Sequence, residues 1–224
     1  MARHQMEIAA LRILDANFNR AREGLRVVEE FTRFVINNAA LSKATKDLRH
    51  ELTQAFANAL PKSLSLAARN TGEDVGTEIS NTSETTRDDT RGVAYANLAR
   101  VAEALRSIEE YAKTGSADLA NLANGAKALR YRVYQLESAI QQADKAHVLL
   151  EAKVMAILGG ETPHPKRELV RALYEAGLRV FQLREKGASD AIAFAATAQW
   201  REALAELPKL VVLVNDRVDW ALAL

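Results

Sequence analysis

From about Ile8 to Lys145 apolar residues recur at intervals of three and four, the spacing that lays an apolar stripe along a helix. The one long interruption is the polar run from Arg69 to Thr90. The spacing predicts helices over about 8–37, 42–59, 91–113 and 117–145, divided by Asn37-Asn38, by Pro61 with the long loop, and by Gly115. After His147 the pattern changes. Short apolar runs at 154–158, 179–183 and 210–214 alternate with amphipathic segments at 165–176 and 190–207, which predicts β-α-β-α-β. Gly177 stands where a helix stops before a strand, and Pro165 and Ser189 stand where helices start. Each crossover is long enough for a parallel connection. The expected organisation is a helical domain over 1–146 followed by an α/β domain over 147–224, with the boundary within 143–152.

The helical half repeats itself. Residues 16–30 read ANFNRAREGLRVVEE and residues 96–110 read ANLARVAEALRSIEE. Eight of fifteen positions are identical at a constant offset of 80, where unrelated sequences share about one. Lys46, Leu48 and Arg49 recur as Lys127, Leu129 and Arg130 at an offset of 81. A duplicated helical hairpin follows, and with it a four-helix arrangement of pseudo-twofold symmetry.

What repeats is not only the apolar stripe. On a helical wheel Ile13, Leu14, Ala21, Leu25, Val28, Thr32 and Val35 share one face, with Asn17 inside it and Arg20 at its edge. Asn97 and Arg100 repeat that placement. A buried amide without a partner costs about 1–3 kcal/mol, so Asn17 and Asn97 are expected to be paired. Arg20, Glu23, Arg26 and Glu30, with Arg100, Glu103, Arg106 and Glu110, stand at spacings that could supply the partners. Two readings stay open: salt bridges and structural amides that hold the hairpins together, or a polar site at the pseudo-twofold axis. In the second reading the arginines would bind phosphate, and Glu23 or Glu103 would hold magnesium or accept a proton. The stretch AARNTGEDVGTEIS, 67–80, is a second candidate, with Gly72 and Gly76 to turn the backbone and Arg69, Asp74 and Thr77 to face a ligand. It lacks the GxxxxGK[ST] spacing of a nucleotide phosphate loop.

Composition narrows the partners. Net charge is +1, which leaves no global field for nucleic acid or an anionic membrane, so any anion site must be local. The absence of cysteine removes disulfides, thiolate metal sites and cysteine nucleophiles, and fits a reducing cytoplasm. No signal-peptide core precedes the first amphipathic pattern, and no apolar stretch reaches the roughly 20 residues that cross a bilayer.

Further chemistry stands at the ends of the expected strands. In RVFQLREKG, Gln182, Arg184 and Lys186 alternate at a spacing of two, so an extended chain would aim an amide, a guanidinium and an ammonium to one side. An anionic, phosphate-bearing ligand suits that set. The next strand, LVVLVND, ends in Asn215 and Asp216, suited to magnesium or phosphate. Solvated loop charges and a helix cap are the alternative for either motif taken alone.

QLREK followed by SD, then LVNDR and a helix beginning VDWALA, resembles thiamine phosphate synthase over about Lys153 to Leu224. That family is a (β/α)8 barrel joining hydroxymethylpyrimidine diphosphate to thiazole phosphate with loss of pyrophosphate. The resemblance implies that Gln182, Arg184 and Lys186 bind the diphosphate, that Asn215 helps hold it and that Asp216 ligates Mg2+. The family's further magnesium-binding acid, HLGQ-like segment, later lysine and glycine-rich phosphate loops have no counterpart here. Three strands of eight do not close a barrel, so the chain reads as the first β-α-β-α-β part of one, apparently truncated and without synthase activity of its own.

DANFNRAREGLRVVEEFTRF, AARNTGEDVGT and YANLARVAEALRSIEEY, within about 8–140, resemble the helical domain fused ahead of this synthase in some bacteria. The resemblance implies an alternative hydroxymethylpyrimidine phosphate kinase, with ATP and Mg2+, that makes the diphosphate the synthase consumes. The expected protein is thus a cytoplasmic bifunctional transferase of thiamine biosynthesis acting on phosphorylated pyrimidine and thiazole, with homo-oligomers possible. The competing class is a dimerisation or regulatory helical module. The two part on whether the repeated arginines converge on an open pocket or pair off with glutamates.

Overall fold

In a computed structural model the chain is described over residues 8–69, 87, 89–115 and 117–224. Close contacts divide it into two compact units, Met1–Ala143 and Asp144–Leu224. The first is helical and the second carries a small parallel sheet.

Helix α1 spans Ile8–Phe34, α2 Ala39–Ala59, α3 Lys62–Ala68, α4 Thr90–Ala112 and α5 Ala117–Glu151. The break between α1 and α2 falls at the asparagine pair. Asn37 takes φ 54°, a left-handed turn that asparagine tolerates, and the Asn38 side chain accepts a hydrogen bond from the Leu41 N–H at 3.0 Å, capping α2. Asp89 caps α4 in the same way, accepting from Gly92 N–H at 2.8 Å. Two features differ from expectation. The short helix α3 follows Pro61, where proline is preorganised to begin a helix. Helix α5 runs to Glu151 rather than stopping near 145, because no glycine or proline interrupts residues 126–158.

All four long helices feed one core. Leu14, Leu25, Leu52, Leu98, Leu105, Ile108, Leu122 and Ile140 are fully buried in it. Helix α1 packs chiefly along α4, then on α2, and α3 lies against α1. Helices α1 and α4 approach closely at Gly24. A Cβ there would stand 2.7 Å from Val101 Cγ2 and 3.3 Å from the Asn97 carbonyl oxygen. Gly24→Leu is therefore expected to lower the stability of the helical unit by roughly 1–3 kcal/mol, the cost of overpacking exceeding the gain in helix propensity. Thermal unfolding followed by far-ultraviolet circular dichroism reads this directly, and an unchanged midpoint would contradict it.

The second unit comprises β1 Ala156–Leu158, α6 Lys166–Glu175, β2 Val180–Leu183, α7 Asp190–Leu204, β3 Val211–Val214 and α8 Val218–Ala223. The strands lie in the order β1-β2-β3, all parallel, with Leu158 beside Leu183 and Leu183 beside Val214. Alternation sorts the side chains. Leu158, Phe181 and Leu183 are buried with Val170 of α6 and Trp200, Ala203 and Leu204 of α7. Ile157, Gln182 and Leu213 stand in register on the other face, where Ile157 is 57% exposed. At the end of β1, Gly159 lies so close to the Arg184 backbone that a Cβ would overlap its carbonyl oxygen and stand 2.8 Å from its carbonyl carbon.

Candidate functional site

An open cavity of about 670 Å3 lies along the amino-terminal half of α1. Its polar lining is Arg12, Asp15, Asn17, Asn19, Arg20, Arg22 and Glu23 of α1 with Arg69 from the end of α3. Four guanidinium groups face two carboxylates there, a local excess of positive charge in a nearly neutral chain. Arg69 grips Asp15 with both forks, donating from Nε at 2.8 Å and Nη2 at 2.9 Å. The Asp15 side chain is 9% exposed and the Arg69 side chain 41%. Arg20 is exposed and makes no ion pair with any described residue.

The cavity takes Asn17, Arg20, Glu23 and Arg69 among the expected site residues. Asn97, Arg100 and Glu103, their repeats on α4, are not in its lining. Arg100 and Glu103 are exposed. Asp74, with the rest of the glycine-containing loop, lies outside the described residues. The repeated amides find partners other than the expected arginines and glutamates: Asn17 donates to the Ile13 carbonyl at 2.9 Å and Asn97 to the Val93 carbonyl at 2.8 Å, each one turn back along its own helix.

The charges that hold the hairpins together sit deeper, at the repeated pair Glu29 and Glu109. Arg49 of α2 donates to Glu29 at 3.0 and 3.2 Å, and Arg130 of α5 donates to Glu109 at 2.9 Å. Arg26 approaches Glu29 at 3.7 Å and Arg106 approaches Glu109 at 3.0 Å, so each buried carboxylate meets two guanidinium groups. Burial pushes the Glu109 carboxyl up, but the Arg130 hydrogen bond and the charges of Arg106 and Arg130 outweigh it and hold it below its ordinary value. Arg130 is shifted upward by its hydrogen bonds to Tyr134 and Glu109. The repeated arginines therefore divide: Arg26 and Arg106 pair with glutamates, whereas Arg20 stands open on the cavity.

In the α/β unit the carboxyl ends of β2 and β3 bring Gln182, Asn215 and Asp216 together. Gln182 Nε2 donates to Asn215 Oδ1 at 3.3 Å, and Asn215 Nδ2 donates to Asp216 Oδ2 at 2.6 Å. Arg184 Nε is buried without a hydrogen-bond partner among the described residues. Lys186 is exposed and lies beyond the strand, next to Gly187 at φ 79°, so alternation no longer aligns it with Gln182. Among the described residues no cluster of three His, Asp or Glu side chains stands together for a metal. The exposed Asp216 carboxylate fits one ligand position of Mg2+, an ion that commonly takes one or two protein carboxylates and completes its shell with substrate phosphate and water.

Sequence reasoning passed over Arg12, Asp15, Asn19 and Arg22. Their signal was a spacing of three and four on the polar side of α1, which looks the same as a solvated face. The sequence pattern gives no signal for Arg217 either. It donates to Asp219 at 2.9 and 2.7 Å, lies 3.0 Å from Asp190 at the start of α7 and stacks on Trp220, tying the β3 loop to the α7 start.

The ThiD2 family model matches residues 12–139. A thiamine-phosphate synthase of Synechocystis is 41% identical over 220 residues, covering 96% of this chain and 60% of the relative. The thiamine-phosphate synthase of Nostoc punctiforme is 38% identical over 224 residues, with 99% and 60% covered, and that of Thermosynechococcus vestitus is 42% identical over 217 residues, with 94% and 58% covered. The chain thus spans about 60% of the length of the curated relatives it matches. No solved structure matches it.

Proposed function

Because the chain belongs to the ThiD2 family, we propose that its helical unit phosphorylates hydroxymethylpyrimidine phosphate with ATP, giving the diphosphate. The division of labour would place this kinase in 1–146. Residues 147–224 would form part of a (β/α)8 barrel that joins the diphosphate to thiazole phosphate and releases pyrophosphate, in thiamine biosynthesis.

The observation that carries the kinase reading is the α1 cavity with its four arginines. The acceptor is a phosphate oxygen, so the transfer needs neutralised charge and in-line alignment more than proton removal. Arg20 and Arg69 supply forked donors that fit phosphoryl oxygens, and Glu23 places a carboxylate at the same cavity for Mg2+. Bound Mg2+ would neutralise charge on the phosphates. In the α/β unit Gln182, Arg184, Lys186 and Asn215 would bind the diphosphate and Asp216 would hold the ion; the unpartnered Arg184 Nε supports an anionic ligand there. The structural-module alternative draws on the Glu29 and Glu109 pairs, and on Asp15 with Arg69 and Glu23 with Arg22, but leaves Arg20 on the cavity unexplained.

Phosphorus NMR of the chain with ATP, Mg2+ and hydroxymethylpyrimidine phosphate is expected to show the diphosphate form as ADP accumulates. Arg20→Met keeps the apolar stem and removes the charge, so the variant should stay folded and lose roughly 1.5–3 kcal/mol of phosphate-dependent binding or turnover. Absence of diphosphate with the unsubstituted chain would overturn the kinase reading.

A further inference from the structure

Resting on the kinase reading, we propose that Asp15 is a positioning residue that fixes Arg69 at the phosphate site, and that only the first of the two repeats builds such a site. The duplication itself carries the argument. At the offset of 80 the second copy keeps Asn97, Arg100 and Glu103, but every other polar residue that lines the cavity from α1 is replaced. Arg12 corresponds to Gly92, Asp15 to Tyr95, Asn19 to Ala99 and Arg22 to Ala102. Arg69 lies beyond the stretches that repeat: either offset carries it to Leu149 or Leu150, at the end of α5 and in the other compact unit. Tyr95 and Ala102 pack against the helical core. The second copy therefore lacks the counterparts of Arg12 and Arg22 on the helix and keeps that of Arg20, Arg100.

Within the first copy Asp15 occupies a place that cannot be exchanged for a surface charge. Its carboxylate is nearly buried, and α3 brings Arg69 onto it in a two-bond grip. Such a grip fixes the plane of the guanidinium and leaves three of its five N–H donors, two on Nη1 and one on Nη2, to meet a ligand. Asp15 touches no phosphate in this scheme. It acts through Arg69, lowering the number of orientations that must be frozen on binding.

The test is a double-substitution cycle on the whole chain, with Asp15→Asn, Arg69→Met and the pair, titrated calorimetrically with inorganic phosphate and with hydroxymethylpyrimidine phosphate. Each single substitution should weaken binding of the pyrimidine phosphate about tenfold and raise KM more than it lowers kcat, and the pair should be no worse than Arg69→Met alone. Arg100→Met should leave affinity unchanged. If Arg69→Met or Arg20→Met weakens binding while Asp15→Asn does not, the positioning role falls and the kinase reading stands. Equal losses from Arg20→Met and Arg100→Met would overturn the restriction to one copy. If Arg20→Met and Arg69→Met both leave affinity and turnover intact, this cavity is not the phosphate site and the inference falls while the kinase activity stands; if the unsubstituted chain forms no diphosphate, the kinase reading falls and takes this inference with it. Should Asp15→Asn not fold, Asp15→Glu and the partly exposed Arg69→Met decide the same question.

Discussion

Gly159→Ala is expected to disrupt the α/β unit while the helical unit stays folded. The added methyl group would overlap the Arg184 carbonyl oxygen, and the obstacle is backbone rather than a side-chain end that could swing away. The strands would have to part, which breaks the 2.8 Å bond from Arg184 N–H to the Leu158 carbonyl and loosens Leu158 against Leu183. Overpacking costs typically 1–3 kcal/mol and more where backbone must shift, a large share of the stability of so small a core. Both tryptophans, Trp200 and Trp220, lie in this unit, and Trp200 is fully buried. Tryptophan emission should move toward the solvent-exposed wavelength while helical ellipticity is largely kept. An unaltered emission spectrum in the variant would refute the close approach.

Glu109→Met should have the largest effect in the helical unit, roughly 3–5 kcal/mol, because it strands Arg130 at a half-closed site built around a carboxylate. Glu110→Ala, one residue on but solvent-facing, should leave the melting point nearly unchanged. The same site sets an acid limit. A carboxyl held below its ordinary value of 4.5 in the folded state contributes stability that is present above that value and lost as pH falls through the lower folded-state value. Melting points of the unsubstituted chain should thus fall more steeply below pH 4.5 than those of Glu109→Gln. Parallel curves would show that Glu109 does not carry the acid limit.

Much of this architecture could be read in advance because periodicity reports burial. The spacing of Leu14, Ala21, Leu25 and Val28 marks the buried stripe of α1, and Asn37-Asn38 marks its end. The change to short apolar runs marks the parallel strands. Periodicity is silent on what lies beneath a polar face. Asp15 and Arg69 are 54 residues apart and meet only because α3 folds back on α1, so no local pattern joins them. Glu29 and Glu109 repeat visibly, yet their burial depends on Arg49 and Arg130 arriving from other helices. The strand-end residues were easier: Gln182, Asn215 and Asp216 meet because neighbouring parallel strands carry consecutive strand ends to one level.

The order β1-β2-β3 also bears on how the α/β unit forms. Each strand pairs with the next one along the chain, so every closure spans only roughly 25–30 residues, and loop-closure entropy grows slowly over that range. A sheet of this kind assembles by accretion: once β1 and β2 have joined across α6, β3 adds to an existing edge without rearranging what is already paired. Its order of assembly then follows its order of synthesis, and each newly added strand becomes the template on which another parallel strand could be laid.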